Sequence, residues 1–141
     1  MARADFYLIG GPRFAQAPLR LVCELARKAC DSGRPTTILA VSVAEAEALD
    51  QELWAFDPEA FVPHQIAGRE ADDALTPVLI APPGVEVPAR ALLINLRQEC
   101  PAPGYERVLE VVPADAQRRQ GSRARWKTYR ARGDMLGKHE M

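Results

Sequence analysis

Five short apolar runs, separated by stretches of helical periodicity, constrain the fold of this chain more than any other feature. The runs span residues 6–9, 36–41, 78–81, 91–96 and 108–112. None of them alternates regularly between apolar and polar residues, as a strand with one solvated face would. Uninterrupted apolar strands are typical of a parallel sheet that is covered by helices on both faces. The sequence therefore predicts an α/β domain.

Three helices are predicted between and after these strands. Apolar side chains recur with helical spacing over residues 18–30. Ser42 and Glu45 have the spacing of a capping box, which predicts a second helix that ends at the Asp-Pro of residues 57–58. A third helix is predicted over residues 113–132, and Gly133, which follows it, marks its end.

Together these elements predict a single α/β domain of three layers over residues 1–141. A mostly parallel central sheet of about five strands is expected between helices on both faces, with room for a mixed arrangement in the strand-rich second half. We expect residues 61–68 to form a short extended segment and residues 134–141 to form a flexible tail.

The composition excludes several classes of protein. With 141 residues, 48% of them hydrophobic, the chain can bury a core without disulfides and is too apolar for a disordered segment. It has no run of 18 apolar residues and meets charges early at its N-terminus, so we expect neither a membrane helix nor a secretory signal. We then expect a cytoplasmic protein in which Cys23, Cys30 and Cys100 are reduced and buried.

A net charge of −1 hides a strong asymmetry along the chain. Residues 1–112 hold 10 basic and 16 acidic residues, for a net charge of −6. Residues 113–141 hold 8 basic and 3 acidic residues, for a net charge of +5. An acidic body with a basic C-terminal end indicates an anionic partner at that end. The charge alone does not distinguish nucleic acid, phosphate and an acidic peptide.

Motifs for catalysis, metal binding or cofactor binding are missing from the sequence. Residues 10–13 read Gly-Gly-Pro-Arg, without the lysine and hydroxyl of a phosphate-binding loop or the spaced glycines of a dinucleotide fingerprint. The three cysteines, His64 and His139 lack the short spacings of a zinc site. No nucleophile motif accompanies His64. We therefore expect no catalytic residue, no metal and no cofactor.

One stripe of the predicted C-terminal helix combines arginines with an aromatic side chain. Its members, at i, i+4, i+7 and i+11, are Arg119, Arg123, Trp126 and Arg130. Guanidinium groups bind carboxylates and phosphates in a bidentate manner, and an indole offers an apolar wall for a ring. The alternative is a solvated basic helix with Trp126 packed into the core.

A second aromatic patch is predicted where the second helix ends. Trp54 lies off the apolar stripe of that helix, and Phe61 follows the turn after it. Two large aromatic side chains near one turn are typical of a protein-docking surface, but they could equally close the edge of the core. Their spacing does not decide between the two interpretations.

Three blocks of the sequence resemble the chi subunit of bacterial DNA polymerase III. They are Phe-Tyr-Leu at residues 6–8, Leu-Trp at 53–54 followed by Phe-Val-Pro-His-Gln-Ile-Ala-Gly at 61–68, and Arg-Ala-Arg-Trp-Lys-Thr-Tyr-Arg-Ala-Arg-Gly at 123–133. The blocks occur in the same order over almost the whole chain. Trp126 stands where a tyrosine is familiar in that family, and Arg119 where a lysine is familiar, and both keep the chemical role.

This resemblance implies a fold similar to nucleotide hydrolases but without their phosphate-binding loop. It implies a non-catalytic subunit of the clamp-loader assembly with two partners. One is the acidic C-terminal tail of single-stranded DNA-binding protein, whose last residue is a phenylalanine with a free carboxylate. The other is the psi subunit, in a 1:1 heterodimer that tethers the chain to the clamp loader.

The resemblance also implies where each partner binds. The residues implied for the tail are Arg119, Arg123, Trp126 and Val112. The residues implied for psi are Trp54 and Phe61, and a helicase-like protein is an alternative partner for the same surface.

The leading hypothesis is thus a replisome adaptor without membrane contact and with only indirect contact to nucleic acid. The alternative is direct nucleic-acid binding by the basic C-terminal helix, which the acidic remainder of the chain disfavours. A small enzyme on this fold is a third hypothesis.

Overall fold

The computed structural model describes residues 2–55, 61–69 and 73–141. Along the chain its helices and strands are β1 (Arg3–Leu8), α1 (Pro12–Ala15), α2 (Pro18–Asp31), β2 (Thr36–Leu39), α3 (Val43–Ala55), β3 (His64–Ile66), β4 (Val78–Ala81), β5 (Leu92–Asn95), β6 (Arg107–Val112), α4 (Ala116–Ala131) and β7 (Met135–Glu140). A single turn of 3₁₀ helix at Asp73–Leu75 precedes β4.

All seven strands found in the described ranges form one sheet in the order β3-β4-β2-β5-β6-β1-β7. Every neighbouring pair is parallel, so the described residues of the second half of the chain add no antiparallel strand. The five predicted strands are all present, and they form the centre of the sheet. The predicted number of strands was too low, because the two edge strands were not recognised.

The two edge strands have a physical reason for being missed. At one edge, β3 has only three residues and was predicted only as part of a short extended segment over residues 61–68. At the other edge, β7 was predicted as a flexible tail, whereas residues 135–140 pair in register with all six residues of β1. Three of the six residues of β7 are charged or polar, which an edge strand tolerates because it is only half covered.

Helices cover both faces of the sheet, which confirms the three-layer α/β prediction. The face under α2 and α3 holds the larger apolar cluster, which includes Val22, Leu49, Ile38 and Ile94. The face under α4 holds a smaller cluster around Phe6, Leu93, Val108, Val112 and Tyr129. β4 and β5 are buried along their whole length, as their uninterrupted apolar sequences predict.

Local sequence signals explain the helix ends. The capping box is present at α3, where Ser42 Oγ accepts from the Glu45 backbone N–H at 3.1 Å and the Glu45 carboxylate accepts from the Val41 N–H at 2.9 Å. The predicted end of this helix at residues 57–58 lies outside the described residues. Asp115 caps α4, because its side chain accepts from the Arg118 N–H at 2.9 Å. This helix therefore begins at Ala116, three residues later than predicted.

Candidate functional site

Helix α4 is fixed to the sheet by a buried polar network. Arg125 Nε donates to Glu110 Oε1 at 2.9 Å, and the Tyr129 hydroxyl donates to Glu110 Oε2 at 2.7 Å. The Asn95 amide donates to the same carboxylate at 3.0 Å and 3.2 Å. Gly121 lies where the Gln98 side chain reaches the helix, and a Cβ there would collide with Gln98 Oε1. Sequence analysis missed this network, which determines how α4 lies on β5 and β6.

Beside α4, an open groove of about 460 Å³ runs along β1 and β7. Phe6 and Leu8 of β1, together with Trp126 of α4, supply its apolar side chains. Its cationic side chains are Arg119, Arg123, Lys127 and Lys138. The residues that line the groove, among those the structure describes, include no carboxylate, so the groove combines an apolar surface with an excess of positive charge.

Trp126 belongs to the wall of this groove. Its ring centroid lies 5.2 Å from that of Phe6, and Phe6 in turn makes an edge contact with Tyr129 at 5.9 Å. Trp126 remains half-buried, whereas Tyr129 is fully buried. The indole is therefore held by the core on one side and available to a ligand on the other, which removes the alternative of a fully packed tryptophan.

The two arginines of the predicted tail site differ in how they are held. Arg119 Nη2 donates to the Ile9 carbonyl at 3.0 Å, which fixes its guanidinium at the carboxyl end of β1. Arg123 is exposed, and among the described residues its side chain makes no hydrogen bond or ion pair. Arg130, the last member of the predicted stripe, does not line the groove. Val112 does not line the groove either: it is buried in the same apolar cluster as Phe6 and Tyr129.

The basic run at residues 118–132 is less free than its sequence suggests. Besides Arg119 and Arg125, Arg118 donates to the Leu96 carbonyl at 3.4 Å and Arg132 to the Pro101 carbonyl at 2.9 Å. Four of the seven basic side chains are thus tied to the fold. The remaining three, Arg123, Lys127 and Arg130, have no such partner within the described part of the chain.

Lys138 is the member of the groove that sequence analysis missed. It stands opposite Phe6 in the parallel pairing of β1 with β7, and its ammonium lies 3.7 Å from Glu140. Only the sheet topology brings residue 138 next to a helix that begins at residue 116. No spacing pattern in the sequence carries that signal.

The second predicted patch is exposed. Trp54 and Phe61 are 57% and 70% exposed, and their ring centroids lie 5.9 Å apart. The Trp54 ring also lies 4.7 Å from that of His64. His64 is itself fixed, because Nδ1 lies 2.7 Å from the Val62 carbonyl and Nε2 lies 3.2 Å from an Asp50 carboxylate oxygen. The two aromatic side chains therefore form one exposed surface on a rigid support.

The glycine turn and the cysteines, which were examined in the sequence as candidates for phosphate binding, catalysis or metal binding, lie in surroundings that do not favour those roles. The backbone amides of Gly10 and Gly11, where a phosphate-binding loop would present its donors, both donate to the Met141 carbonyl, at 3.0 Å and 2.8 Å. Burial raises the pKa of the Cys23 thiol to about 12, and it also raises the pKa of Cys30 and Cys100. Within residues 2–55, 61–69 and 73–141, no three potential metal ligands gather at one point. The helices described there are also too short or too polar to cross a membrane.

Comparison with known proteins gives a consistent result. The family model described as "DNA polymerase III chi subunit, HolC" matches residues 1–136. DNA polymerase III subunit chi of Pseudomonas aeruginosa is 36% identical over 143 residues, which cover 100% of this chain and 98% of that protein. The Escherichia coli protein of the same name is 35% identical over 139 residues, with 94% of each chain covered.

Among solved structures, a chain of phage T4 UvsW superimposes with a TM-score of 0.67. The match covers 99% of this chain but only 41% of the UvsW chain, at 9% sequence identity. At that identity the likeness shows the fold alone, and it agrees with the predicted nucleotide-hydrolase-like architecture.

Proposed function

The chain belongs to the DNA polymerase III chi subunit family, and from that premise we propose that it is a non-catalytic adaptor of the bacterial replisome. In this proposal, the groove beside α4 binds the acidic C-terminal tail of single-stranded DNA-binding protein. The Trp54–Phe61 surface binds the psi subunit, which connects the chain to the clamp loader in the cytoplasm. The groove is the observation that carries the proposal.

The groove has the chemistry that such a tail requires. Arg119 and Arg123 lie on one wall and can hold a terminal carboxylate through paired N–H donors. A phenyl ring can pack against the exposed side of Trp126, whose other side contacts Phe6. Lys127 and Lys138 extend the positive charge toward the acidic residues that precede the ring.

The energetic terms differ in size and in salt dependence. Burying a phenylalanine side chain contributes about 1.5–3 kcal/mol. Each exposed ion pair contributes about 0.2–1 kcal/mol and is screened by salt. The aromatic ring should therefore supply much of the affinity, while the cations select an acidic tail with a free carboxylate. We expect modest affinity that falls as salt is added.

The Trp54–Phe61 surface supports the second contact. Two exposed aromatic rings in contact with each other form a preorganised apolar anchor of the kind that dominates protein interfaces. This surface belongs to the region of α3 and β3, whereas the groove belongs to α4, β1 and β7. The two surfaces share no residue, so one chain can hold both partners at once.

A peptide titration tests the proposal. A synthetic acidic peptide that ends in phenylalanine should bind at low salt, and Arg123→Ala should weaken binding about two- to fivefold, equivalent to about 0.4–1 kcal/mol. Arg130→Ala is the matched control, because it removes the same charge from the same helix outside the groove. A peptide with an amidated C-terminus should bind more weakly. Failure of the peptide to bind at low salt, or equal effects of the two substitutions, would refute the proposal.

The same series separates the adaptor from a protein that binds nucleic acid through α4. For that alternative, Arg123→Ala and Arg130→Ala should weaken binding of bare single-stranded DNA alike, since phosphate contacts add along a basic helix. The adaptor proposal expects the two substitutions to differ with the peptide, because only Arg123 lines the groove.

A further inference from the structure

A second cationic cleft lies on the opposite face of the sheet from the groove. It has a volume of about 350 Å³ and lies between the end of α2 and the first residues of β5 and β6. Its apolar lining includes Leu25 and Leu109, which belong to the cluster under α2 and α3. Its polar lining consists of Tyr7, Lys28, Ser32, Arg34 and Arg107.

The cleft carries an excess of positive charge, because none of the described residues that line it is acidic. The nearest buried carboxylate, Asp5, already accepts hydrogen bonds from Arg3 and Arg107, each at 2.9 Å. The side chains of Lys28 and Arg34 are exposed, and neither forms an ion pair or hydrogen bond within the described part of the chain. Among the described residues, Lys28 and Arg34 are therefore two unpaired cations, and they lie near Arg107, which shares the Asp5 carboxylate with Arg3.

The end of α2 does not cancel this charge. A helix C-terminus carries partial negative charge on its unpaired carbonyl groups. Here the Ser32 N–H donates to the Lys28 carbonyl at 3.1 Å, and the Arg34 N–H and the Ser32 hydroxyl both donate to the Ala29 carbonyl, at 3.0 Å and 2.9 Å. These bonds pair the carbonyl groups of Lys28 and Ala29, which reduces the repulsion of an anion there, and the Asp31 carboxylate at the same helix end lies 3.7 Å from Arg27.

A stacked aromatic pair, Tyr7 and His139, lies at the edge of the cleft. The rings of Tyr7 and His139 are stacked, with centroids 4.6 Å apart and an angle of 15° between their planes. Tyr7 lines the cleft, and both rings are half-buried. A cationic cleft with an aromatic side chain in its lining is typical of surfaces that bind phosphates and bases together.

We propose that this cleft binds a phosphate-bearing ligand, either the backbone of a single-stranded nucleic acid or a free nucleotide. Lys28 and Arg34 would contact phosphate oxygens directly, and Arg107 would contribute while it remains bound to Asp5. The inference is independent of the proposed function, because it uses no residue of the groove or of the Trp54–Phe61 surface. It also differs from nucleic-acid binding through α4, which lies on the other face.

Fluorescence anisotropy with a labelled oligothymidylate tests this inference on the full chain. We expect binding at low salt that weakens at least about tenfold in a Lys28→Gln/Arg34→Gln variant. Contacts to three phosphates predict a slope of about −2 for the logarithm of the association constant against that of the salt concentration. Arg130→Gln is the matched control, because it removes an exposed arginine that lines neither the cleft nor the groove and should leave oligonucleotide binding unchanged.

Competition with inorganic pyrophosphate and ATP distinguishes the two sources of phosphate. The dissociation constants of pyrophosphate and ATP are first measured directly. If either compound displaces the oligonucleotide near that concentration, the cleft is a nucleotide site. If only unlabelled oligonucleotide competes, the cleft is a nucleic-acid site. Both results support phosphate binding, provided that the Lys28→Gln/Arg34→Gln variant no longer binds the oligonucleotide or the competitor. Absence of binding of any probe at low salt, or an equal loss with Arg130→Gln, would overturn the inference, and a circular dichroism spectrum checks that both variants fold.

Discussion

Arg125 and Glu110 form an ion pair in the interior, with Nε of the guanidinium 2.9 Å from Oε1 of the carboxylate and both side chains almost fully buried. Burial raises the pKa of Glu110, and the contacts with Arg125, Tyr129 and Asn95 oppose that rise. The pair joins β6 to α4, and α4 carries one wall of the groove. The position of the candidate site therefore depends on a charge pair that does not line the groove.

Removing only one member of this pair should be strongly destabilising. We expect Arg125→Met to lower the free energy of unfolding by about 3–5 kcal/mol, because it leaves the Glu110 carboxylate buried without its cation. A double variant, Glu110→Gln/Arg125→Met, should regain part of that loss, since no buried charge remains and the amide oxygen of the glutamine can still accept from Tyr129 or Asn95. Urea unfolding of the two variants measures both effects.

Arg130→Ala serves as the control for that series, because Arg130 is exposed on the same helix and should change stability by less than about 0.5 kcal/mol. Equal stability of the single and double variants would contradict the assignment of Glu110 as the charge that Arg125 compensates.

Asp5 gives the chain a predictable response to acid. Burial alone would raise the pKa of this carboxyl group, but hydrogen bonds from Arg3, His139 and Arg107 outweigh burial and hold the pKa below its usual value. The folded state then binds fewer protons than the unfolded state at acid pH, so the contribution of Asp5 is complete above its unfolded pKa of about 3.9. Below that pH the contribution should be lost as the pH falls through the lowered folded pKa.

The measurement is urea unfolding of the wild type and of Asp5→Asn across acid pH. The variant should be less stable at neutral pH by about 1–3 kcal/mol, because a buried acceptor of three donors is replaced. The difference between the two proteins should shrink as the pH falls below about 4. A difference that stays constant with pH would show that Asp5 stabilises the fold by packing alone.

The features that sequence analysis predicted are those that depend on neighbours in the chain. The central strands were visible because strands covered on both faces need apolar side chains throughout, as in β4 and β5. The capping box at Ser42 and Glu45 was visible because a helix N-terminus is a local structure. Arg123 and Trp126 could be placed on one face because helical spacing alone decides that relation.

The features that were missed depend on topology. Strand β7 has no uninterrupted apolar run, and it is a strand because it pairs with β1, which lies more than a hundred residues earlier. Lys138 could join the groove only after that pairing was known. Glu110 could have revealed the buried network from the sequence, because a lone acidic residue inside an apolar strand needs a buried partner. The helix that follows supplies that partner, Arg125.

Tryptophan fluorescence should report on the groove directly. The chain has two tryptophans, and Trp54→Phe leaves only Trp126, which lines the groove. We expect an acidic peptide ending in phenylalanine to shift or quench the emission of Trp126 in this variant, because the ring of the peptide packs against the indole. In a Trp126→Phe protein, Trp54 should show no change with the same peptide. A signal from Trp54 and none from Trp126 would place the peptide elsewhere.

The Trp54–Phe61 surface predicts a separate defect. A Trp54→Ala/Phe61→Ala variant should lose most of its affinity for the psi subunit, because two exposed anchor side chains are removed, while its affinity for the acidic peptide stays unchanged. Leu75→Ala is the matched control, since Leu75 is the most exposed large apolar side chain of the described residues outside that patch. Pull-down with purified psi measures the effect. Retention of psi by the double variant would rule out this surface as the docking site.

Lys138 and Glu140 on β7 should change peptide binding in opposite directions. Their charged groups lie 3.7 Å apart on an exposed edge strand, and only Lys138 lines the groove. Lys138→Ala should weaken binding of the acidic peptide about two- to fivefold and flatten its salt dependence, because one cation is lost from the rim. Glu140→Gln should strengthen binding by a similar factor, because it removes a carboxylate that competes for Lys138.

Lys28→Ala is the matched control for this pair of substitutions: it removes an exposed lysine on the opposite face and should leave peptide binding unchanged. Isothermal titration at two salt concentrations measures all three variants. If Lys138→Ala and Lys28→Ala behave alike, β7 contributes no charge to the groove, and the tail would be held by α4 alone.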